Sequence, residues 1–254
     1  FDLGCLIMQH AEDNELSQNG MMNDGVIATK LGLQGIPEVA EKIIIERDLS
    51  LLEDFNCRYH ISQISSASSV EIIRERKKKV NFSCGVSINN LSLNENDIGD
   101  FKTFLKLSPP LRTEDDRNAL VQGLVDETIE VIVSDHKPED EENKRLTFAQ
   151  AETGASGIET LLPLSLELYH NGSVNLETII KALTSSPAKI LKINKGNLSI
   201  GNDADFCIVD INKPWVVRKE KLISKSKNTP IEDKKLQGKV MNTFVNGEEL
   251  FKAE

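Results

Sequence analysis

Glu130-Val-Ile-Val-Ser-Asp-His-Lys-Pro138 is the stretch on which the reading of the fold turns. Val131, Ile132 and Val133 make an unbroken β-branched run, the mark of a short strand buried on both faces. The run stops at Ser134, Asp135 and His136, so the strand delivers a carboxylate and an imidazole at its C-terminal end. Barrels of parallel strands carry their catalytic groups at that end. Leu6-Ile7-Met8-Gln9-His10 and Cys57-Arg58-Tyr59-His60 finish in the same manner. Three of the chain's four histidines thus stand at predicted strand ends.

The flanking sequence repeats the pattern. Residues 4–10 read as a buried strand, and 14–36 as a polar loop on the functional face. Pro37 opens a helix whose apolar residues (Val39, Ala40, Ile43, Ile44, Leu51, Leu52) keep a roughly 3.6-residue period to about Phe55. Strand 58–63 follows. Hydroxyls from Ser65 to Ser69 then cap a helix that closes on Lys77, Lys78 and Lys79, as suits a helix C-terminus. Strand 81–87, a polar loop and the apolar stretch 101–107 come next, the last stopped by Pro109 and Pro110. Thr113 and Asp116 predict a capping box for a helix to about Val125. Beyond strand 130–134 lie an acidic loop, Glu139 to Glu142, and helices over about 157–171 and 175–192, the second capped by Asn175. After Gly196 short strands, among them Phe206 to Val209 and Val240 to Val245, alternate with Gly, Asn and Asp turns.

Repeated strand–helix units predict a parallel sheet with right-handed crossovers. A complete eight-stranded barrel takes ~250 residues for itself. The expected fold class is therefore α/β: residues 1–195 form part of a (β/α)8 TIM barrel, and residues 196–254 a small β appendage. The sequence opens at Phe1, without Met, directly ahead of a candidate active-site strand, which predicts that a preceding portion of the barrel is missing. A half barrel exposes a sheet edge, so pairing with the missing N-terminal half or with a second copy is expected.

Composition narrows the function classes. At 254 residues, with 39% hydrophobic and 28% charged, the chain buries a real core. A net charge of −10 argues against a general nucleic-acid binder, which needs a basic face. No apolar run approaches the ~20 residues of a membrane-spanning helix. Cys5, Cys57, Cys84 and Cys207 lie far apart with no Cys-x-x-Cys, which predicts reduced thiols in a cytoplasmic protein.

Taken singly, His10 and His60 are more simply hydrogen-bonded structural residues, and Asp135 a helix cap. Taken jointly, two imidazoles and a carboxylate are what zinc accepts. Such a site keeps a position open for water and lowers that water's pKa to ~7. Asp135 would take the proton and pass it to a leaving nitrogen. His170 ends a helix beside Asn171-Gly172; the helix dipole explains it and it is given no role. The acidic run reads as a solvated loop, and Gly154-x-x-Gly157 ahead of a helix is a weak anion-binding signal.

The order His-Ala-Glu-Asp (10–13), His-Ile-Ser (60–62), Ser-Pro-Pro-Leu-Arg (108–112), Ser-Asp-His (134–136) and Gly-Ile-Glu-Thr (157–160) resembles the dihydroorotases of the amidohydrolase superfamily, closest to their bacterial class I branch. Lys225-Ser-Lys-Asn-Thr-Pro230 extends the resemblance into the appendage. It implies strands five to eight of the barrel plus the distal part of a β-sandwich domain. It implies a zinc-dependent enzyme that interconverts N-carbamoyl-L-aspartate and dihydroorotate in pyrimidine synthesis, as a homodimer or with aspartate transcarbamoylase. His10, His60 and Asp135 would be metal ligands, with Asp135 also the general acid/base. Substrate would meet Ser108, Glu139, Thr153 and Gly154. The family's first-strand His-x-His pair and fourth-strand bridging ligand do not occur in this chain, so the fragment alone is expected to be inactive. Ser108 stands where the family has Asn, Glu139 where it has a substrate-contacting His, and Asn90 where many relatives carry His. Lys144 or Arg145 would offset the Glu139 charge. Some relatives are non-catalytic partners of the transcarbamoylase, and others open hydantoin or allantoin.

Overall fold

The computed structural model describes residues 4–55 and 57–253; Phe1 lies outside them. The chain opens with β1 (Leu6–Gln9), then β2 (Met22–Asn23), α1 (Val26–Leu31), β3 (Gly35–Ile36) and α2 (Val39–Asp54). β4 (Arg58–Ile64), α3 (Ala67–Arg76), β5 (Ser83–Ser87), α4 (Ile88–Ser92), α5 (Glu114–Val125) and β6 (Val131–Val133) follow. Next come the one-turn helix α6 (Glu141–Lys144), α7 (Leu161–His170), α8 (Leu176–Leu183) and α9 (Ser185–Leu191). The C-terminal end supplies β7 (Phe206–Val216), β8 (Lys235–Val245) and β9 (Glu248–Lys252).

β1, β4, β5 and β6 pair in that order, all parallel. A parallel sheet with helical crossovers has the arrangement of part of a (β/α)8 barrel. Strand alternation sorts its faces. On β4, Tyr59 and Ile61 point to the helical layer, where the Tyr59 hydroxyl donates to Asp48 of α2 at 2.6 Å. Cys84 and Val86 of β5 and Ile132 of β6 join the same core, closed from outside by Ile45 and Leu49 of α2, Val70 and Ile73 of α3, and Leu120 and Leu124 of α5. Each such side chain contributes roughly 1.5–3 kcal/mol on burial. The opposite face carries His60, Ser83, Gly85 and Ser87, and is small and polar.

Local signals set the helix ends. Ser66 caps α3 by accepting from Ser69 N at 3.2 Å, Thr113 and Asp116 form the predicted capping box of α5, and Asn175 caps α8. The single helix expected over 175–192 is two, broken at Thr184. Pro187 has no N–H to give the Leu183 carbonyl, and its ring collides with it. Stretch 101–107 makes only a 3-10 turn at Thr103–Leu105. The acidic segment is not wholly a loop: Glu141 and Glu142 begin α6, where carboxylates favour a helix N-terminus.

β7, β8 and β9 form an antiparallel sheet. Val217, Ile231 and Leu236 from this end bury in the same cluster as the parallel sheet's core. The Lys234 ammonium pairs with Glu167 of α7 at 2.8 Å, and His170 Nε2 lies 2.9 Å from the Ile211 carbonyl. His170 therefore ties the C-terminal sheet to α7.

Candidate active site

Asp135 lies two residues beyond β6 with a left-handed backbone (φ 48°). Its Oδ1 accepts from Gln63 Nε2 at 3.0 Å and its Oδ2 from Ser87 Oγ at 3.4 Å. Burial raises the carboxyl's pKa, opposed by these two donors and by the charges of His10 and Lys137. His10 follows β1 directly. Its Nε2 lies 3.3 Å from Glu12 Oε2 and 3.4 Å from Ser108 Oγ. The bond to Glu12 raises the imidazole's pKa, with smaller help from the charges of Glu41 and Asp135. His10 and Asp135 thus sense each other at the C-terminal end of the sheet.

His60, the third expected ligand, makes its hydrogen bond elsewhere. Its Nδ1 lies 2.8 Å from Ser83 Oγ, at the start of β5, whereas Asp135 is reached from Ser87, at the end of β5. Ser83 and Ser87 lie four residues apart on β5, and the His60 Nε2 leans toward Gly85 between them. Only 4% of His60 is exposed, and burial, with Lys77 adding repulsion, pushes its pKa down to about 4. In the strand register His60 pairs with Met8, two residues before His10, so it sits within the sheet, one step below the rim that carries His10 and Asp135. β4 runs on to Ile64, and Gln63 is the side chain it presents to Asp135. The expected strand 58–63 already ends at Gln63, but the chemistry of histidine draws the reading to His60. Among the described residues no three His, Cys, Asp or Glu side chains are gathered so as to hold a metal ion.

The segment 153–157 runs beside Asp135. Ala155 bridges His136 in parallel register, Lys137 N donates to the Ala155 carbonyl at 2.9 Å, and Gly157 N donates to His136 Nδ1 at 3.2 Å. A Cβ on Gly157 would stand 2.3 Å from the Ser134 carbonyl oxygen, so only glycine permits this approach. Lys137 Nζ donates to Thr153 Oγ1 at 2.9 Å, and Gly154 N donates to the Lys106 carbonyl at 2.9 Å. Asn228, from Lys225-Ser-Lys-Asn-Thr-Pro230, pins the segment by donating to the Gly154 carbonyl at 3.1 Å and accepting from Ser156 Oγ at 2.8 Å.

Glu139 faces Lys137 at 3.8 Å and accepts from Asn143 Nδ2 at 3.4 Å. Arg145 pairs instead with Glu141, and Lys144 spends its ammonium on backbone carbonyls, so Lys137 makes the ion pair expected of those two. Arg112 is a brace: it donates to Ser65 Oγ, Asn23 Oδ1 and the Ile36 carbonyl at 2.8–3.0 Å. Asn90 donates to the Pro110 carbonyl at 2.9 Å and holds the segment following Ser108.

An α/β chain with a carboxylate and a histidine at the C-terminal end of a parallel sheet matches a known family model. The amidohydrolase family model covers residues 2–250, and the chain belongs to that family. Among curated relatives it is 42% identical over 253 residues to a dihydroorotase of Ehrlichia canis (strain Jake), covering 99% of this chain and 57% of that protein. A dihydroorotase of Syntrophus aciditrophicus (strain SB) is 41% identical over 246 residues, covering 96% of this chain and 58% of that protein. The chain thus spans less than two thirds of the length of these relatives. Among solved structures, L-hydantoinase from Arthrobacter aurescens superposes with a TM-score of 0.88 at 26% identity, over 99% of this chain and 58% of that one. Dihydropyrimidinase from Brevibacillus agri NCHU1002, at 22% identity and a TM-score of 0.85, shares the fold over 99% of this chain and 57% of its own.

Proposed function

We propose that the chain is the C-terminal part of a dihydroorotase, a cyclic-amide hydrolase that interconverts dihydroorotate and N-carbamoyl-L-aspartate. In this reading residues 1–195 are strands five to eight of the barrel with their helices, and 196–254 part of a β-sandwich domain. The observation that carries it is Asp135: a largely buried carboxyl just past a parallel strand's C-terminal end, held by Gln63 and Ser87 within the field of His10, beside the segment 153–157. Water adds to the ring amide carbonyl and loses a proton to Asp135. The C–N bond breaks, and Asp135 delivers that proton to the departing nitrogen. Thr153 and Gly154, held against Lys137 two residues past Asp135, would contact the ring, with Ser108 on the His10 side. Glu139, neutralised in part by Lys137, would border the substrate's anionic end.

Zinc, which the family reading implies, would polarise the amide carbonyl and acidify the attacking water. The described residues do not fit it: a glutamine amide stands against Asp135, His60 lies against Ser83, and no three His, Cys, Asp or Glu side chains among them are gathered. No step above is routed through a metal. The other parts of the proposal are a cytoplasmic location and a homodimer, or an assembly with aspartate transcarbamoylase. No helix among the described residues is long and apolar enough to cross a membrane.

The Gln63 contact favours a second reading, a non-catalytic dihydroorotase-like subunit that scaffolds the transcarbamoylase. Incubating the full-length protein with dihydroorotate, N-carbamoyl-L-aspartate, hydantoin and allantoin separates the readings by product chromatography. Interconversion of the first two supports the enzyme. No turnover by folded protein that co-elutes with the transcarbamoylase supports the scaffold. Hydantoin or allantoin opening without dihydroorotate turnover refutes both.

A further inference from the structure

The Asp135 carboxylate is divided between two neutral donors, the Gln63 amide on one oxygen and the Ser87 hydroxyl on the other. An ionised carboxylate only accepts hydrogen bonds, so Gln63 must turn its NH2 toward it. That orientation leaves Gln63 Oε1 buried, with no partner among the described residues. The amide nitrogen has no lone pair for a metal. The orphaned amide oxygen is a poor ligand for zinc, which takes imidazole, thiolate and carboxylate. The remaining nitrogen ligand, His10, directs its Nε2 at Glu12 and Ser108.

We infer that the residue at position 63 decides whether this end of the sheet holds a divalent metal ion, and that glutamine there keeps the ion out. Asp135 is addressed by an amide where a metal site would need an imidazole. A histidine at 63 would project from the same strand end toward the same carboxylate and, with His10 and Asp135, complete the two-nitrogen, one-oxygen set that zinc accepts. This deepens the family reading, from which the control substrate is taken, but the metal readout stands apart from turnover.

The test uses full-length protein as wild type, Asp135→Asn, Gln63→Ala, Gln63→His and the Gln63→His/Asp135→Asn double variant. Each is stripped with chelator, reloaded with Zn2+ or Co2+ alone and desalted, and its metal content and cobalt d–d absorption are read beside circular dichroism. Wild type and Asp135→Asn are expected to hold the same amount of metal, because Asp135 contributes nothing to binding while Gln63 is present. Gln63→His is expected to gain about one equivalent, which the double variant loses, while Gln63→Ala gains none. Loss of metal on Asp135→Asn alone overturns the inference, as does a folded Gln63→His protein that gains no metal. If Gln63→His fails to fold, the comparison of wild type with Asp135→Asn decides alone. Dihydroorotate turnover and binding are followed on the same samples: their absence throughout defeats the dihydroorotase reading and leaves the metal result intact.

Discussion

Lys144 Nζ and the Glu152 carbonyl oxygen meet at 2.7 Å, in a place where Lys144 is only 1% exposed. The same ammonium donates to the Thr103 carbonyl at 3.0 Å and approaches that of Lys106 at 3.5 Å. Lys106 Nζ returns the contact, donating to the carbonyls of Ala149 and Ala151 at 3.0 and 2.7 Å. Two buried lysines thereby clasp the turn at 103–106 to the segment that leads into Thr153 and Gly154.

Replacing Lys144 by Met should keep the aliphatic stem and strip the clasp of its donors. Buried carbonyls left without partners cost about 1–3 kcal/mol each, so urea unfolding of the full-length protein should show a loss of that order. Amide exchange in 149–154 should quicken. Unchanged stability and unchanged exchange would show that the carbonyls find other partners.

His60 gives a pH dependence with a definite sign. Its folded pKa is about 4, below the ~6.5 of an unfolded histidine. Between these values the unfolded chain binds a proton that the folded one refuses. Stability is therefore fully present above the unfolded value and falls as pH drops toward 4. The drop is on the order of 3 kcal/mol. His60→Gln should flatten this part of the acid-unfolding curve. A variant as acid-sensitive as wild type would assign the loss to other groups.

How much of this was legible in the sequence depends on whether the deciding contact is local. The Val131 to Val133 run, the Thr113–Asp116 box and the Asn175 cap are read within a few residues, and the structure contains each. Choosing between His60 and Gln63 required the register of β4 against β5, which pairs His60 with Ser83 and is interrupted by a bulge between Ile61 and Ile64. That register depends on partners some twenty residues away, and histidine drew attention by its chemistry alone. The work of Lys144 was equally hidden: an ammonium among backbone carbonyls leaves no pattern in a string of side chains. In the C-terminal sheet, bulges interrupt the alternation of β7 and β8, so only fragments of those strands could be read.

Glu41 makes a second buried hub. Its carboxylate accepts from Ser65 N at 3.0 and 3.1 Å, and from the Ser65 and Ser69 hydroxyls at 2.5 Å. Arg112 reaches the same Ser65 hydroxyl. Gln at position 41 would turn an NH2 group toward these donors and desolvate it without an acceptor. A loss of roughly 2–4 kcal/mol is expected, read as a lower thermal midpoint. An unchanged midpoint would mean that the serines re-pair among themselves.

Gly157 and Gly172 allow placement and stability to be told apart. Alanine at 157 would set its Cβ 2.3 Å from the Ser134 carbonyl oxygen, pushing the segment 153–157 away from Asp135 and stretching the Gly157–His136 bond. Alanine at 172 meets nothing within 4 Å but must adopt φ 76°, which costs on the order of 1 kcal/mol. Under the dihydroorotase reading, Gly157→Ala should cut kcat/KM by about 100-fold or more, because a displacement of about 1 Å at reacting groups has that effect. Gly172→Ala should lower the thermal midpoint and leave kcat/KM near wild type. If both variants lose activity only in proportion to their fall in stability, the segment beside Asp135 is packing, and the substrate must be sought elsewhere on the sheet's rim.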